Sequence, residues 1–310
     1  MAHPLSRGRS RTPLPPCERP LVIAHRGASS EVAEHTLPAY LAAIETGADG
    51  LECDVRLTRD GHLVCVHDRT VNRTSNGRGI VSELDLSGLE ALDFRSWHDE
   101  LPSTADGLLT DPPYLAGVAP DRLGADSSTV LTLEQLLGVV ADAGRPIKLL
   151  IETKHPTRYG GLVEKELVRV LKRFGWATDQ PASRTMSPGR PARTAGLADP
   201  DYPITIMSFA SIALRRVRLL APSVPLVLLM DRESPFRRDG SLPTGVRTAG
   251  PGIRVVRSEP DYVRRAHAAG NRVFCWTVDK PEDVSLVRRL GVDAIITNRP
   301  RHVREQLGYD

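Results

Sequence analysis

Four apolar runs in this chain end on, or carry, groups that can titrate or hold charge. Leu21–Ala24 runs into His25-Arg26-Gly27, and Leu149-Leu150-Ile151 runs into Glu152-Thr153-Lys154-His155. Leu51–Thr58 carries Glu52 and Asp54, and Leu63–Val66 runs into His67-Asp68. Alternate residues of a strand share a face, so Glu52 goes with Asp54 and Glu152 with Lys154. In parallel α/β folds the C-terminal strand ends carry the site. Each run also has a plainer reading: a core histidine beside a surface arginine, an exposed strand face with solvated charges, an isolated ion pair at a strand end. Taken together they define one chemistry. Glu52, Asp54 and Glu152 make an all-oxygen set, which suits Mg²⁺ or Ca²⁺, with Mn²⁺ a further choice, rather than zinc. His25 and His67 suit proton transfer near neutral pH. Arg26 and Lys154 supply cations for an anionic oxygen. That combination fits attack on a phosphate diester.

The elements that must position these groups follow from pattern. Strands are expected at Leu21–Ala24, Leu51–Thr58, Leu63–Val66, Lys148–Glu152, Ile204–Met207, Leu226–Met230, Ile253–Val256, Arg272–Val278 and Ala294–Thr297. Helices are expected at Leu37–Glu45, Thr132–Ala143, Gly161–Phe174, Ile212–Leu220, Pro260–Ala268 and Pro281–Arg289, where apolar residues recur three and four apart. Thr132 with Gln135 reads as a capping box, and Gly144 and Gly270 as helix stops. Alternation of strand and helix implies parallel pairing. Asp60-Gly61 is a hairpin signal, so Leu51–Thr58 and Leu63–Val66 are expected to be antiparallel neighbours. With Asp60-Gly61 as a two-residue turn, Arg59 faces His62, Leu57 faces Val64 and Asp54 faces His67. The hairpin also accounts for nine strands where a closed barrel needs eight.

The bulk composition narrows the class. The chain has 310 residues, 40% of them apolar and 25% charged, with a net charge of +3. That is an ordinary globular composition, with length enough to bury about three quarters of the unfolded surface. The small net charge and 5% aromatic content argue against nucleic acid. Cys17, Cys53, Cys65 and Cys275 form no C-x-x-C pair, and no run approaches a membrane span. The start of the chain holds arginines and prolines without the apolar run of a signal peptide. The expectation is a disordered leader over 1–18, one domain over 19–310, and a cytoplasmic setting. Three stretches, Asp93–Thr129, Thr178–Pro203 and Asp231–Gly252, break the rhythm as long loops.

Beyond these patterns, the sequence resembles a known family. His25-Arg26-Gly27, Glu34-His35-Thr36, Gly47–Val55, Thr58–Gly61 and His67-Asp68 are similar to the glycerophosphodiester phosphodiesterase signature. So are Arg73-Thr74, Gly77–Gly79, Glu152–Lys154, Ser208-Phe209, Cys275–Val278 and Gly291–Thr297, all in order over roughly residues 21–300. The resemblance implies a (β/α)8 TIM barrel with a hairpin extension and a loop insertion at about 93–129. It implies hydrolysis of glycerophosphodiesters to glycerol 3-phosphate and an alcohol. It makes Glu52, Asp54 and Glu152 ligands of a divalent cation, His25 and His67 the acid–base pair, Arg26 and Lys154 phosphate contacts, and Trp276 a wall of the glycerol pocket. Glu34 and Asp68 are read as supporting carboxylates, a solvated loop carboxylate being the alternative for Glu34. The chain departs from the family at His35, more often asparagine, and at Asn298, where aspartate is common. Neither is a proposed ligand. Two other readings stay open: a barrel that cyclises intact phospholipids, and a non-catalytic glycerophosphodiester-binding barrel. The long loops have few large apolar residues, which disfavours the first; no ligand or histidine is missing, which disfavours the second. A monomer or homodimer acting on a small molecule, without stable membrane insertion, is the expected state.

Overall fold

The computed structural model describes residues 12–95, 128–155, 160–179, 203–232 and 238–309. Its strands are β1 Leu21–His25, β2 Gly50–Leu57, β3 Leu63–Cys65, β4 Lys148–Thr153, β5 Ile204–Ser208, β6 Leu226–Met230, β7 Thr248–Pro251, β8 Arg272–Cys275 and β9 Ala294–Thr297. The sheet runs β1-β9-β8-β7-β6-β5-β4-β2, and β2 returns to β1, so eight parallel strands close into a barrel. The helices α1 Leu37–Glu45, α2 Leu86–Glu90, α3 Leu133–Ala141, α4 Leu162–Arg173, α5 Ser211–Leu220, α6 Ile253–Ser258, α7 Asp261–Ala268, α8 Pro281–Leu290 and α9 Pro300–Leu307 lie between and after the strands. This is the expected TIM barrel.

Two apolar layers hold it. The outward faces of the strands pack on the helices through residues such as Leu51, Leu149, Ile206, Leu136, Leu167 and Val287. Inside the barrel, Ile23, Leu150, Met207, Val227, Leu229, Phe274, Ala294 and Ile296 form a second cluster. Period two then dictates what stands above that plug. Two residues beyond Ile23 comes His25, beyond Leu150 comes Glu152, beyond Phe274 comes Trp276, and beyond Ile296 comes Asn298. The inner face of the barrel therefore changes from apolar to polar at its C-terminal rim.

The expected antiparallel hairpin is present, but its register differs. Val55 pairs with Cys65, Arg56 with Val64 and Leu57 with Leu63. Asp54 lies opposite Val66, whose N–H donates to the Asp54 carbonyl (3.1 Å), and not opposite His67. The turn has three residues, Arg59-Asp60-Gly61, with Gly61 at φ 91°. It is closed by Thr58 N–H to the His62 carbonyl (2.9 Å) and by His62 N–H to Thr58 Oγ1 (2.8 Å). One extra turn residue shifts the pairing by one place and reverses which side chains share a face.

A second correction concerns β7. The apolar stretch Ile253–Val256 is the helix α6, and the strand is the preceding Thr-Ala-Gly-Pro. Gly250 must be small, because a Cβ there would lie 2.7 Å from Leu229 Cδ2 and 2.9 Å from Val227 Cγ1. The barrel wall thus recruits a segment with no strand-like run of its own. The expected capping box of α3 is formed, with Thr132 and Gln135 bonding reciprocally. The described end of the expected leader is tied down. Leu14 N–H donates to the His267 carbonyl and Cys17 N–H to that of Gly291, each at 2.9 Å. Most of the expected 93–129 insertion lies outside the described residues. Among those residues no helix is long and apolar enough to cross a membrane.

Candidate active site

The barrel register assembles the site. On adjacent parallel strands His25 of β1 aligns with Glu52 of β2, and Asp54 of β2 aligns with Glu152 of β4. Glu52, Asp54 and Glu152 are all buried, and their oxygens come within 4.8 Å of one another. Lys154, two residues beyond Glu152, follows the same face. Its Nζ lies 2.9 Å from Glu152 Oε1 and 3.1 Å from Asp54 Oδ1. Arg26 turns into the site through a left-handed backbone (φ 59°). Its Nε pairs with Asp54 Oδ2 at 3.0 Å, and its backbone N–H donates to Glu52 Oε2 at 3.2 Å. Gly27 follows at φ 85°, and a Cβ there would meet the Ala39 backbone at 2.6 Å. The turn after β1 therefore packs directly on α1.

Electrostatics set the carboxylates apart. Burial would raise Asp54, but Arg26, Lys154 and His35 hold it well below the usual carboxylate range. Burial and the neighbouring Asp54 push Glu52 well up, and push Glu152 up to about 7. Three buried carboxylates, two of them held toward protonation by burial and by the neighbouring Asp54, fit a divalent cation. It would supply the positive charge that the cluster lacks.

The two histidines are held differently. His25 Nδ1–H donates to Asn298 Oδ1 (2.7 Å), while Nε2 faces Glu52 Oε2 at 3.9 Å. Burial and the nearby Arg26 lower its pKa to about 3, so it is neutral at pH 7. His67 lies just beyond β3. Its carbonyl accepts from Arg56 Nε (3.0 Å) and Nη2 (2.7 Å), and its Nδ1–H donates to the Asp68 carboxylate (2.7 Å). Burial lowers its pKa, and Asp68 opposes that shift.

Behind them runs a bridge of charge. Arg73 donates to Asp68 through Nε (2.7 Å) and to both oxygens of Glu34 (2.8 Å each). Glu34 in turn accepts from Arg26 at 3.1 Å. Glu34 is thus a half-buried carboxylate that bridges Arg26 and Arg73. Trp276 is anchored at another part of the rim, with Nε1–H donating to the Gly250 carbonyl (2.7 Å) and its ring edge-on to Phe209 at 5.4 Å.

Sequence reasoning gave His35, Asn298 and Arg73 no role. His35 is buried, in a left-handed conformation (φ 60°). Its Nε2–H donates to Asp54 Oδ2 (2.9 Å), and its Nδ1 lies 2.8 Å from the Tyr40 hydroxyl, which also reaches the Glu52 carbonyl (3.2 Å). No local pattern marks that contact. Asn298 was findable, since it continues the inward alternation of β9. Arg73 is brought in only by the chain path after β3.

The model of the "Glycerophosphoryl diester phosphodiesterase family" matches residues 25–302. A Mycobacterium tuberculosis protein named "Probable glycerophosphodiester phosphodiesterase 1" is 40% identical over 288 residues, covering 93% of this chain and 92% of its own. A Bacillus subtilis glycerophosphodiester phosphodiesterase is 29% identical over 304 residues, covering 97% and 90%. Among solved structures, an Oleispira antarctica phosphodiesterase in complex with the product sn-glycerol-3-phosphate superposes with a TM-score of 0.69 at 22% identity, over 93% of this chain and 97% of that one. A Parabacteroides distasonis glycerophosphodiester phosphodiesterase does so with a TM-score of 0.68 at 23% identity, over 94% and 98%.

Proposed function

The chain belongs to the glycerophosphoryl diester phosphodiesterase family and has its phosphodiesterase activity, and from that premise we propose that it hydrolyses small glycerophosphodiesters to glycerol 3-phosphate and an alcohol, with Glu52, Asp54 and Glu152 holding a divalent cation. The observation that carries this reading is the buried carboxylate trio flanked by two histidines with unlike partners. When bound, a hard cation at the trio supplies Lewis-acid charge for an anionic phosphoryl oxygen.

The chain's own residues do the rest. Arg26 and Lys154 already point at the trio, and their charge favours a phosphodiester and its more anionic transition state. His25 is neutral, with Nε2 unprotonated on the site side, and takes the proton of the attacking oxygen. His67 holds its Nδ1–H on the Asp68 carboxylate, which opposes the downward pull of burial on its pKa, and gives a proton to the leaving alkoxide. Thus the base is the histidine with an amide partner and the acid is the one with an anionic partner. Trp276 and Phe209 supply an apolar flank for the glycerol. The relative solved with sn-glycerol-3-phosphate supports that product for this fold. Mg²⁺ or Ca²⁺ fits the donor set better than zinc.

The test is release of glycerol 3-phosphate from a panel of glycerophosphodiesters, with and without prior chelation. Release that is lost after chelation and restored by Mg²⁺ or Ca²⁺ is the expected result. Full turnover after exhaustive chelation overturns the metal, and absence of release from every member of the panel overturns the substrate class.

A further inference from the structure

His25 can act as a base through Nε2 only if its proton sits on Nδ1, and Nδ1 faces an amide, Asn298, that can present either an oxygen or an NH2 group. What decides between the two lies one residue further out. Asp279, in the loop between β8 and α8, accepts three hydrogen bonds. Thr297 Oγ1–H (2.9 Å) and the Asn298 backbone N–H (2.8 Å) donate to Oδ1, and Asn298 Nδ2–H donates to Oδ2 (2.7 Å). With the NH2 group committed to the carboxylate, Oδ1 must face His25. The Ser29 hydroxyl lies in the same corner, 2.8 Å from that oxygen and 2.7 Å from the His25 carbonyl. Turning the amide over would set its oxygen against the Asp279 carboxylate and its NH2 against the ring.

We propose that Asp279 is a positioning residue for the reaction: by orienting the Asn298 amide it fixes His25 as the Nδ1–H tautomer and leaves Nε2 free to accept a proton. The inference rests on the reading of His25 as base. It concerns two residues that touch neither the carboxylate trio nor the phosphate-binding cations. It also gives a reason for asparagine at position 298: the chain divides orientation and charge between an amide that meets the histidine and a carboxylate that sets the amide.

The polarity argument predicts a swap. In Asp279→Asn the residue at 279 brings an NH2 to the Asn298 NH2, so the Asn298 amide turns over and His25 moves its proton to Nε2. Turnover should fall on the order of 10²–10⁴-fold, the scale for a misplaced catalytic tautomer, with KM within about threefold. In Asn298→Asp two carboxylates would meet, and turnover should fall as well. In the double variant Asp279→Asn with Asn298→Asp, an NH2 at 279 again meets an oxygen at 298, and an oxygen at 298 again meets His25 Nδ1–H. Turnover should return to within about tenfold of the parent.

Nitrogen NMR of histidine-labelled protein reads the tautomer without reference to activity. The expected spectra show His25 protonated on Nδ1 in the parent and the double variant, and on Nε2 in Asp279→Asn. A parent spectrum with the proton on Nε2 overturns the proposal with no variant needed. A proton that stays on Nδ1 in Asp279→Asn overturns the role of Asp279. A tautomer that moves as expected while turnover stays unchanged overturns the role of His25 as base. A double variant no faster than either single one, with thermal unfolding like the parent, also counts against the polarity argument.

Discussion

The site depends on side chains that are each expensive to bury alone and acceptable together. Asp54 shows this most clearly, since it is buried yet meets Arg26, His35 and Lys154. Two predictions belong at this scale. His25→Ala and His67→Ala should each lose on the order of 10²–10⁴-fold in turnover, as removal of a general base or acid does. A nitrophenyl phosphodiester has a leaving group that barely needs protonation, so it should rescue His67→Ala and leave His25→Ala slow. Comparison of turnover on that ester and on a natural glycerophosphodiester checks it, and equal rescue of both variants would contradict the division of labour. The second concerns the trio. With the cation bound, repulsion among Glu52, Asp54 and Glu152 is relieved, so Mg²⁺ at 100 times its Kd should add about 2.7 kcal/mol of stability. Glu152→Ala should lose most of that increment. Thermal unfolding with and without Mg²⁺ after chelation measures it, and an unchanged melting curve would count against a metal at this position.

At the scale of elements, turns govern where the site residues point. Gly27 and Gly61 both have positive φ, at 85° and 91°, so alanine at either position should cost about 1–2 kcal/mol in backbone conformation alone. They differ in their surroundings. A Cβ at Gly61 meets nothing within 4 Å, whereas one at Gly27 meets the Ala39 backbone carbon at 2.6 Å. Gly27→Ala must therefore also push α1 from the β1 turn, adding about 1–3 kcal/mol. Urea denaturation should rank Gly27→Ala clearly below Gly61→Ala. The same push moves Arg26, so activity should fall with Gly27→Ala and stay near the parent value with Gly61→Ala. Equal stabilities would mean that α1 gives way freely.

At the scale of the whole molecule, Glu34 ties the turn after β1 to the segment after β3. It accepts from Arg26 and twice from Arg73, which also holds Asp68. Burial works to raise its pKa, but Arg73 and Arg26 hold it far below its ordinary value of 4.5. A depressed folded-state pKa contributes stability above the unfolded value and loses it as pH falls through the folded one. Glu34→Gln should then cost about 2 kcal/mol from pH 8 down to about 5, less than for a fully buried pair because Arg73 keeps some water. The gap to the parent should narrow steadily below pH 4.5. Urea titrations at pH 7, 5 and 3.5 check this, and a gap that widens on acidification would reverse the sign of the linkage.

Local pattern settled much of this architecture. Alternating apolar and titratable residues within one strand are a property of the segment itself, so Glu52 with Asp54 and Glu152 with Lys154 were legible on their faces. Repeated strand and helix periods likewise implied a parallel barrel, and the strand-end rule put His25, Arg26 and Glu152 at one rim. Tertiary structure decided what depends on partners distant in the chain. The hairpin register turned on one extra residue in the Arg59–Gly61 turn, which moved His67 out of line with Asp54. β7 became a strand because its backbone pairs with both β6 and β8 and the crowded position 250 is filled by glycine, while the more strand-like Ile253–Val256 coiled into α6. His35 reaches Asp54 only through a left-handed backbone and the support of Tyr40. Arg73 and Asp279 act through hydrogen bonds to residues 39 and 19 positions away. A sequence fixes the face on which a residue lies because that follows from neighbouring bonds. Which groups meet across the barrel follows from closure, register and packing, which the whole chain sets at once.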